Sequence, residues 1–508
     1  MITKNYNVIT KMIKLRIAIV SLLFTAISWG QKNVFLSNEY WKKNPTVQDV
    51  KEKIKGGNSV LEMNSRSFDA TALAILEGAP VEVVDYLVSL KEVPVDRRTH
   101  DGRTYLIWAA YKGNYPMVKM LIEKGADVNL EGSHGYNAIN FAAFAGVANK
   151  ELYEVLIKNG ADIKMTNHDG ANAMQLIMSR LKDVSLISYF ESKGLSVKDE
   201  DNNGIGAFCY AARGGNIPVM EYLLEKDVNP KKTNEYGVNA AIFAAKGTRR
   251  GVPSLKTFKF LASKDVSLNV TDKEGNTPLL LVSGRTDDIS LISYFLEQGI
   301  DVNQVNKEGN TAFINAASRS DKDILDLLLV KVKDVNHANN EGVNALARAV
   351  KYNSSSIVSY LLEKGASLNL NDKEGNSLLY YWVASVNNRS ITKTINDEKL
   401  AILGEYGFDV TKSQPNGNNL FHLAVETENF ALLEKAAELK IDINAKNNDG
   451  YTPLLKAALI AKDTKILHFL VDNGAAISIA TDFDETAYDL ASENELLTKQ
   501  KAQINFLK

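Results

Sequence analysis

The feature that most constrains this chain is a recurring glycine. Glycines stand at 102, 135, 170, 204, 237, 275, 309, 342, 375, 417 and 450, separated by 33, 35, 34, 33, 38, 34, 33, 33, 42 and 33 residues. A single hydrophobic core rarely grows to the size that 508 residues would need. A period this regular instead means one supersecondary unit copied along the chain, each copy burying its apolar face on its neighbours.

The residues around each glycine say what the unit is. Two positions later come Thr104, Asn137, Asn172, Gly206, Asn239, Thr277, Thr311, Asn344, Ser377, Asn419 and Thr452. All are favoured helix N-caps, whose side chains (glycine aside) bond an orphan amide of the first turn. Pro278 and Pro453 follow directly, at the position where a helix needs no N–H. An apolar helix comes next, as in Leu106 to Ala110, and then a second helix with a glycine stop, as in Leu121-Ile122-Glu123-Lys124-Gly125. The extended stretch Ala126-Asp127-Val128-Asn129 leads to the next turn.

Gly275-Asn276-Thr277-Pro278-Leu279, Asp449-Gly450-Tyr451-Thr452-Pro453-Leu454 and Gly125-Ala126-Asp127-Val128-Asn129 resemble the ankyrin signature. The resemblance runs from about residue 67 to about 495, with the family's first-helix histidine present only at His422. It implies an all-α ankyrin-repeat solenoid of about 11–13 helix–turn–helix repeats with N- and C-terminal caps. Four segments are expected: an export signal over 1–30, an N-terminal capping segment over 31–66, the repeat array over 67–480 and a C-terminal cap over 481–508.

A longer period overlies the short one. Seven residues after each glycine, where neighbouring helices approach closely, alanine stands at 109, 142, 211, 244, 316, 349, 424 and 457. The exceptions, Ile177, Val282 and Trp382, fall at every third repeat. Asp183 to Phe190 and Asp288 to Phe295 are near-identical and 105 residues apart. A unit of about 100 residues copied in tandem explains both, and the bulky residue should widen helix spacing or change the crossing there. Insertions interrupt two repeats, at Gly247 to Pro253 and Val386 to Asn396. Each is either a partner contact or a tolerated solvated loop.

Charge gives no bulk address. Lys and Arg number 59 against 61 Asp and Glu, so attraction to nucleic acid or an acidic membrane is not expected. The N-terminus does carry one. Lys11, Lys14 and Arg16 precede an uncharged run from Ile17 to Trp29, and Ser28-Trp29-Gly30 places small residues at −3 and −1 of a cleavage point before Gln31. The chain is therefore expected to be exported, to the periplasm or beyond, in the manner of exported bacterial ankyrin-repeat proteins, which it resembles. No other apolar run approaches 18 residues, so no membrane span is expected in the mature chain.

Chemistry is hard to find. There is no Walker loop, no Gly-x-Gly-x-x-Gly, no His-Glu-x-x-His and no Gly-x-Ser-x-Gly. His100, His134 and His168 recur every 34 residues beside turn glycines. Packed elements lie about 8–10 Å apart and zinc ligands about 2 Å from the metal, so one ion does not bridge three such tips; they read as exposed turn residues. Cys209, the single cysteine, reads as a small core residue. No catalytic residue, metal or cofactor is assigned, and an enzyme is a remote alternative.

One surface pattern remains. Nine or ten residues after each glycine, at the end of the first helix, stand Lys112, Arg180, Arg213, Lys246, Arg285, Arg319 and Lys351, joined by Tyr111, Phe144 and Tyr352. In arrays of this family that position faces the concave groove. Helix C-termini favour cations through their dipole alone; a cationic and aromatic strip also suits an acidic protein surface. The expected function is that of an exported protein-binding scaffold or accessory factor acting through the concave face. The alternative is a binder of an anionic polymer such as an acidic glycan.

Overall fold

In the computed structural model the described residues are 33–508, and their regular elements are helices. The export signal expected over 1–30 lies outside them. The chain divides into two compact units, one ending at Ala211 and also taking in 218–228, the other comprising 212–217 and 229–508.

The first unit opens on the short helix Asn38–Trp41 and on Val47–Lys55. Phe35 and Trp41 are fully buried there, and the Trp41 indole donates to the Phe35 carbonyl at 2.8 Å. Paired helices follow: Ala70–Glu77 with Val81–Ser89, Tyr105–Tyr111 with Tyr115–Glu123, Ala138–Ala145 with Lys150–Lys158, and Ala173–Ile177 with Ser185–Ser192. First helices pack on first helices and second on second, as the duplication of one unit requires. The second unit repeats the scheme from Ala240–Lys246 with Leu255–Ser263 to Ala487–Glu493 with Glu495–Lys499. With the pair Ala207–Arg213 and Ile217–Glu225, the described residues hold thirteen pairs from Ala70 onward.

Local chemistry explains the regularity. Thr104, Asn137, Asn172, Asn239, Thr277, Thr311, Asn344, Ser377, Asn419 and Thr452 all cap the first helix through the side chain. Each such cap is worth about 1 kcal/mol. The turn glycine has a second reason beyond its left-handed backbone. Gly309 has φ 79°, and a Cβ placed on it would lie 2.7 Å from the Asn340 amide nitrogen of the next turn. Successive turns approach that closely because they are joined by their backbones: Lys307, Asn340 and Lys373 N–H donate to the Glu274, Glu308 and Glu341 carbonyls at 2.7–3.0 Å.

Ala142 and Ala244 are fully buried at the helix contact, and so are Ile177 and Val282. The first helices that carry Ile177 and Val282 end on that residue, Ala173–Ile177 and Pro278–Val282, and are only 5 residues long. Trp382 is accommodated differently. Its helix continues to Val386, and its indole donates to the Asn396 carbonyl at 3.1 Å, so the 386–396 insertion receives the ring.

Candidate functional site: the ends of the first helices

The last turn of a helix leaves carbonyls without intrahelical partners. In the first unit, the ring of Tyr111 stacks on Phe141 at 4.7 Å, and Phe141 stacks on Phe144 at 5.9 Å. Arg180 lies over Phe144 at 4.9 Å, and its guanidinium donates to the Phe144 carbonyl of the preceding repeat. Lys112 caps its own helix and is exposed.

The second unit uses two arginines on one loop. Arg213 Nε donates to the Gly247 carbonyl at 2.5 Å and its guanidinium lies 5.1 Å from the Phe243 ring. Arg285 donates to the Lys246 carbonyl through Nη1 and to the Thr248 carbonyl at 3.1 Å through Nη2. Three successive carbonyls at the start of the 247–253 insertion are thus held by guanidinium groups. The insertion closes on itself through Thr248 and Gly251, whose backbones exchange two hydrogen bonds of 2.8 and 3.1 Å. Arg249 and Arg250 are exposed at its tip.

This is a general device, and it revises the simple dipole account. The polar side chain at the end of one first helix satisfies carbonyls of a neighbouring repeat, not only its own helix. Asn353 Nδ2 donates to the Ala317 and Ser320 carbonyls, both at 3.1 Å, and Ser320 Oγ to the Ser283 carbonyl at 2.7 Å. Asn494 Nδ2 does the same for Ala458 and Ala461 at 3.1 and 2.9 Å. Neutral Asn and Ser serve as well as Arg, so the carbonyl contact does not by itself require a cation.

The remaining residues of the strip differ in freedom. Lys246 lies 3.9 Å from the buried carboxylate of Asp272. Arg319 is exposed. Lys351 lies over the rings of Tyr352 and Tyr380 at 5.2 and 5.8 Å, with Tyr352 exposed.

Beside this strip runs one that the sequence reading did not single out, six residues after the turn glycine: Trp108, Phe141, Tyr210, Phe243, Arg348 and Tyr381. The polar tips of three of these brace their own turns. Trp108 Nε1 donates to Thr99 Oγ1, Tyr210 Oη to Asp201 and Tyr381 Oη to Asp372, all at 2.8 Å and all nine residues back. Burial, together with the Asp372 carboxylate, pushes the Tyr381 hydroxyl well above the usual phenol range. The constant offset from the glycine was the signal available for finding this stripe.

Two sequence readings of single residues can be placed. His134 and His168 are exposed, but His100 is half-buried, with its ring 4.7 Å from Phe68 and Nδ1 against the Arg66 carbonyl at 2.9 Å. This corrects its reading as a fully exposed turn residue: the N-terminal repeat supplies the Phe68 ring and the Arg66 carbonyl on which the imidazole rests. Cys209 is buried. Among the described residues no group of three or more His, Cys, Asp or Glu is placed to hold a metal ion. Nor, among these residues, is any helix long and apolar enough to cross a membrane.

Two buried ionisable groups join neighbouring repeats. His422 is fully buried; Nδ1 accepts from the Asn419 N–H at 3.2 Å, and Nε2 donates to the Tyr451 carbonyl at 2.9 Å. Burial holds it neutral and lowers its pKa to about 4. Lys399 is also fully buried, with Nζ donating to the Val350 carbonyl at 2.8 Å and to Ser385 Oγ at 3.1 Å. Desolvation lowers its pKa to about 8.

Known proteins share the repeat. A profile described as ankyrin repeats (3 copies) matches residues 71–167, 248–336, 279–372 and 314–402, and one described as ankyrin repeats (many copies) matches 421–471. Dauer abnormal formation protein 25 of Caenorhabditis elegans is 35% identical over 105 residues, 20% of this chain and 26% of the relative. The probable palmitoyltransferase AKR2 of Saccharomyces uvarum is 39% identical over 67 residues, 13% of this chain and 9% of that enzyme. Notch-regulated ankyrin repeat-containing protein A of Danio rerio is 38% identical over 53 residues, 10% of this chain and 47% of the relative. The matches thus span from about a tenth to about half of the relatives' own lengths. The profile matches together cover more than half of the 508 residues and coincide with the paired helices and glycine turns described above: the chain belongs to the ankyrin-repeat family.

Proposed function

We propose that this protein is an exported protein-binding scaffold or accessory factor, and that its contact surface in each unit is the strip at the ends of the first helices. Ankyrin repeats are in general non-enzymatic protein-binding scaffolds, and that coarser statement follows from membership of the family. The observation that carries the finer reading is the charge left over once the carbonyl contacts are made. Lys112 and Arg319, and Arg249 and Arg250 on the adjoining insertion, stand exposed. Neutral side chains serve the same structural purpose elsewhere, so a partner with an acidic surface is the reading that uses the cations. Export rests on the charged, apolar and small-residue succession from Lys11 to Gln31.

The test begins with a partner captured from the cell envelope and identified. Lys112, Arg249, Arg250 and Arg319 are then changed together to Glu, with Lys55, Lys91, Lys412 and Lys440, exposed and outside the strip, reversed together as the control for net charge. The strip variant should lose association rate and affinity while the control does not. Equal losses in both would leave only bulk charge. A steep fall in affinity with salt, extending to sulfated glycans, would favour the anionic-polymer reading. Recovery of the mature protein with residues 12–30 still attached would remove the export proposal.

A further inference from the structure

Within the second unit a cavity of about 220 Å³ opens between the first helices Ala345–Tyr352 and Leu378–Val386 and the turns that precede them. Its volume suits one side chain. Arg348, Lys351 and Tyr352 reach it from one face of the first of these helices, at the i, i+3 and i+4 spacing that brings side chains together. Tyr380 and Tyr381 line it from the second.

Three carboxylates and three cations line the cavity, but they are not paired one to one. Its three carboxylates are engaged. Glu341 pairs with Lys373 at 3.6 Å. Asp372 accepts from Tyr381 Oη at 2.8 Å and from the Asn376 amide nitrogen at 2.8 Å. Glu374 accepts from Asn376 Nδ2 at 3.3 Å. Two of its cations are not matched in this way. Among the described residues neither Arg348 nor Lys351 forms an ion pair, and Lys351 rests on the Tyr352 and Tyr380 rings. Arg348 Nε is buried with no hydrogen-bond partner among the described residues. A buried donor left unpaired is costly, and a guanidinium offers a planar fork that matches a carboxylate.

We infer that this cavity is a docking pocket for a single acidic side chain, Asp or Glu, of a partner protein. The carboxylate would take Arg348 and Lys351, and the methylenes would lie against the tyrosine rings. The inference rests on the protein-binding reading above and names the chemistry of one contact. It favours one side chain over a charged polymer because the cavity has room for a single group, and Glu341, Asp372 and Glu374 in the same lining oppose a run of negative charges more than one carboxylate directed at Arg348 and Lys351.

The experiment uses the full chain and two blocked hexapeptides, acetyl-Ser-Gly-Glu-Glu-Gly-Ser-amide and its Gln-Gln counterpart, titrated calorimetrically at low salt. The Glu peptide should bind, and the Gln peptide at least tenfold more weakly. Arg348→Gln and Lys351→Gln should each weaken the Glu peptide at least fivefold. Arg319→Gln, in the same strip but outside the cavity, should leave it unchanged. Circular dichroism confirms folding, and the half-exposed Lys351 provides a variant that does not disturb the core. Absence of binding by the Glu peptide, or equal losses from Arg319→Gln and Arg348→Gln, would overturn the pocket. So would inorganic phosphate or free glutarate binding as tightly as the peptide with the same dependence on Arg348, since the site would then be one for small anions. So would a sulfated polymer competing at the pocket more tightly than the peptide. If an identified partner still binds the chain while Arg348→Gln has no effect on it, the pocket fails and the scaffold reading stands. If that partner ignores the whole strip, the scaffold's contact face fails separately.

Discussion

The buried ammonium of Lys399 makes a prediction with a definite sign. Its ordinary pKa of 10.5 is lowered to about 8 by desolvation, against two hydrogen bonds and, among the described residues, no ion-pair partner. Between pH 8 and 10.5 the unfolded lysine keeps a proton that the folded one has released. The unfolded state then binds more protons, so stability rises with pH across that window. At about 1.4 kcal/mol per pH unit, the difference between the two pKa values amounts to about 3 kcal/mol. That penalty is present in full at pH 7 and relieved above 10.5. In a repeat array it acts on the interfaces around the group and not uniformly along the chain. The assay is urea unfolding followed by the fluorescence of Trp382, whose indole bonds the Asn396 carbonyl beside this lysine, with Trp29, Trp41 and Trp108 changed to Phe. Other groups titrate over the same range, so the quantity to read is the difference between Lys399 and Lys399→Met. Wild type should gain about 3 kcal/mol on the variant between pH 7 and 11. Parallel stability curves would show that the ammonium is as well solvated in the fold as out of it, and the reasoning would fail.

His422 should act in acid. Its folded pKa of about 4 lies below the ordinary 6.5, so stability is full above pH 6.5 and falls by about 3 kcal/mol as pH drops through 4, a dependence that His422→Gln should abolish in urea midpoints. Gly309→Ala and Gly365→Ala separate backbone strain from crowding. Both glycines have positive φ, but a Cβ on Gly365 meets nothing within 4 Å while one on Gly309 would press on the next turn. The first substitution should lower the midpoint by clearly more than the second, whose cost is about 1 kcal/mol. Arg285→Ala should free the 247–253 loop, read as faster tryptic cleavage after Arg249 or Arg250; unchanged cleavage would mean that Arg213 and the Thr248–Gly251 pairing hold the loop alone.

The repeat was legible because its determinants are local. A positive-φ glycine, an N-cap two residues later and alanine seven residues later are each demanded by the backbone or by the nearest neighbour, so they recur at constant spacing. Thr311 caps its helix and Gly309 turns the chain for reasons that a 33-residue window contains. The candidate strip was legible only as positions. That Lys112 and Arg319 stand ten residues after a turn glycine and Arg213 nine follows from counting; that Arg213 is committed to a carbonyl while Lys112 and Arg319 are exposed does not.

What the sequence by itself determined is the unit, its caps and its repetition, because helix termini and tight turns obey rules of short range. What only the tertiary structure decided is where each polar side chain spends its hydrogen bonds. Arg285 reaches back 39 residues to the Lys246 carbonyl, Lys399 reaches 49 to that of Val350, and the 386–396 insertion closes over Trp382. Those partners are set by the stacking of neighbouring repeats and by the length of each insertion. A position that repeats perfectly in sequence therefore meets a different environment in each repeat, and the unmatched cations of one cavity appear only once the stack is built.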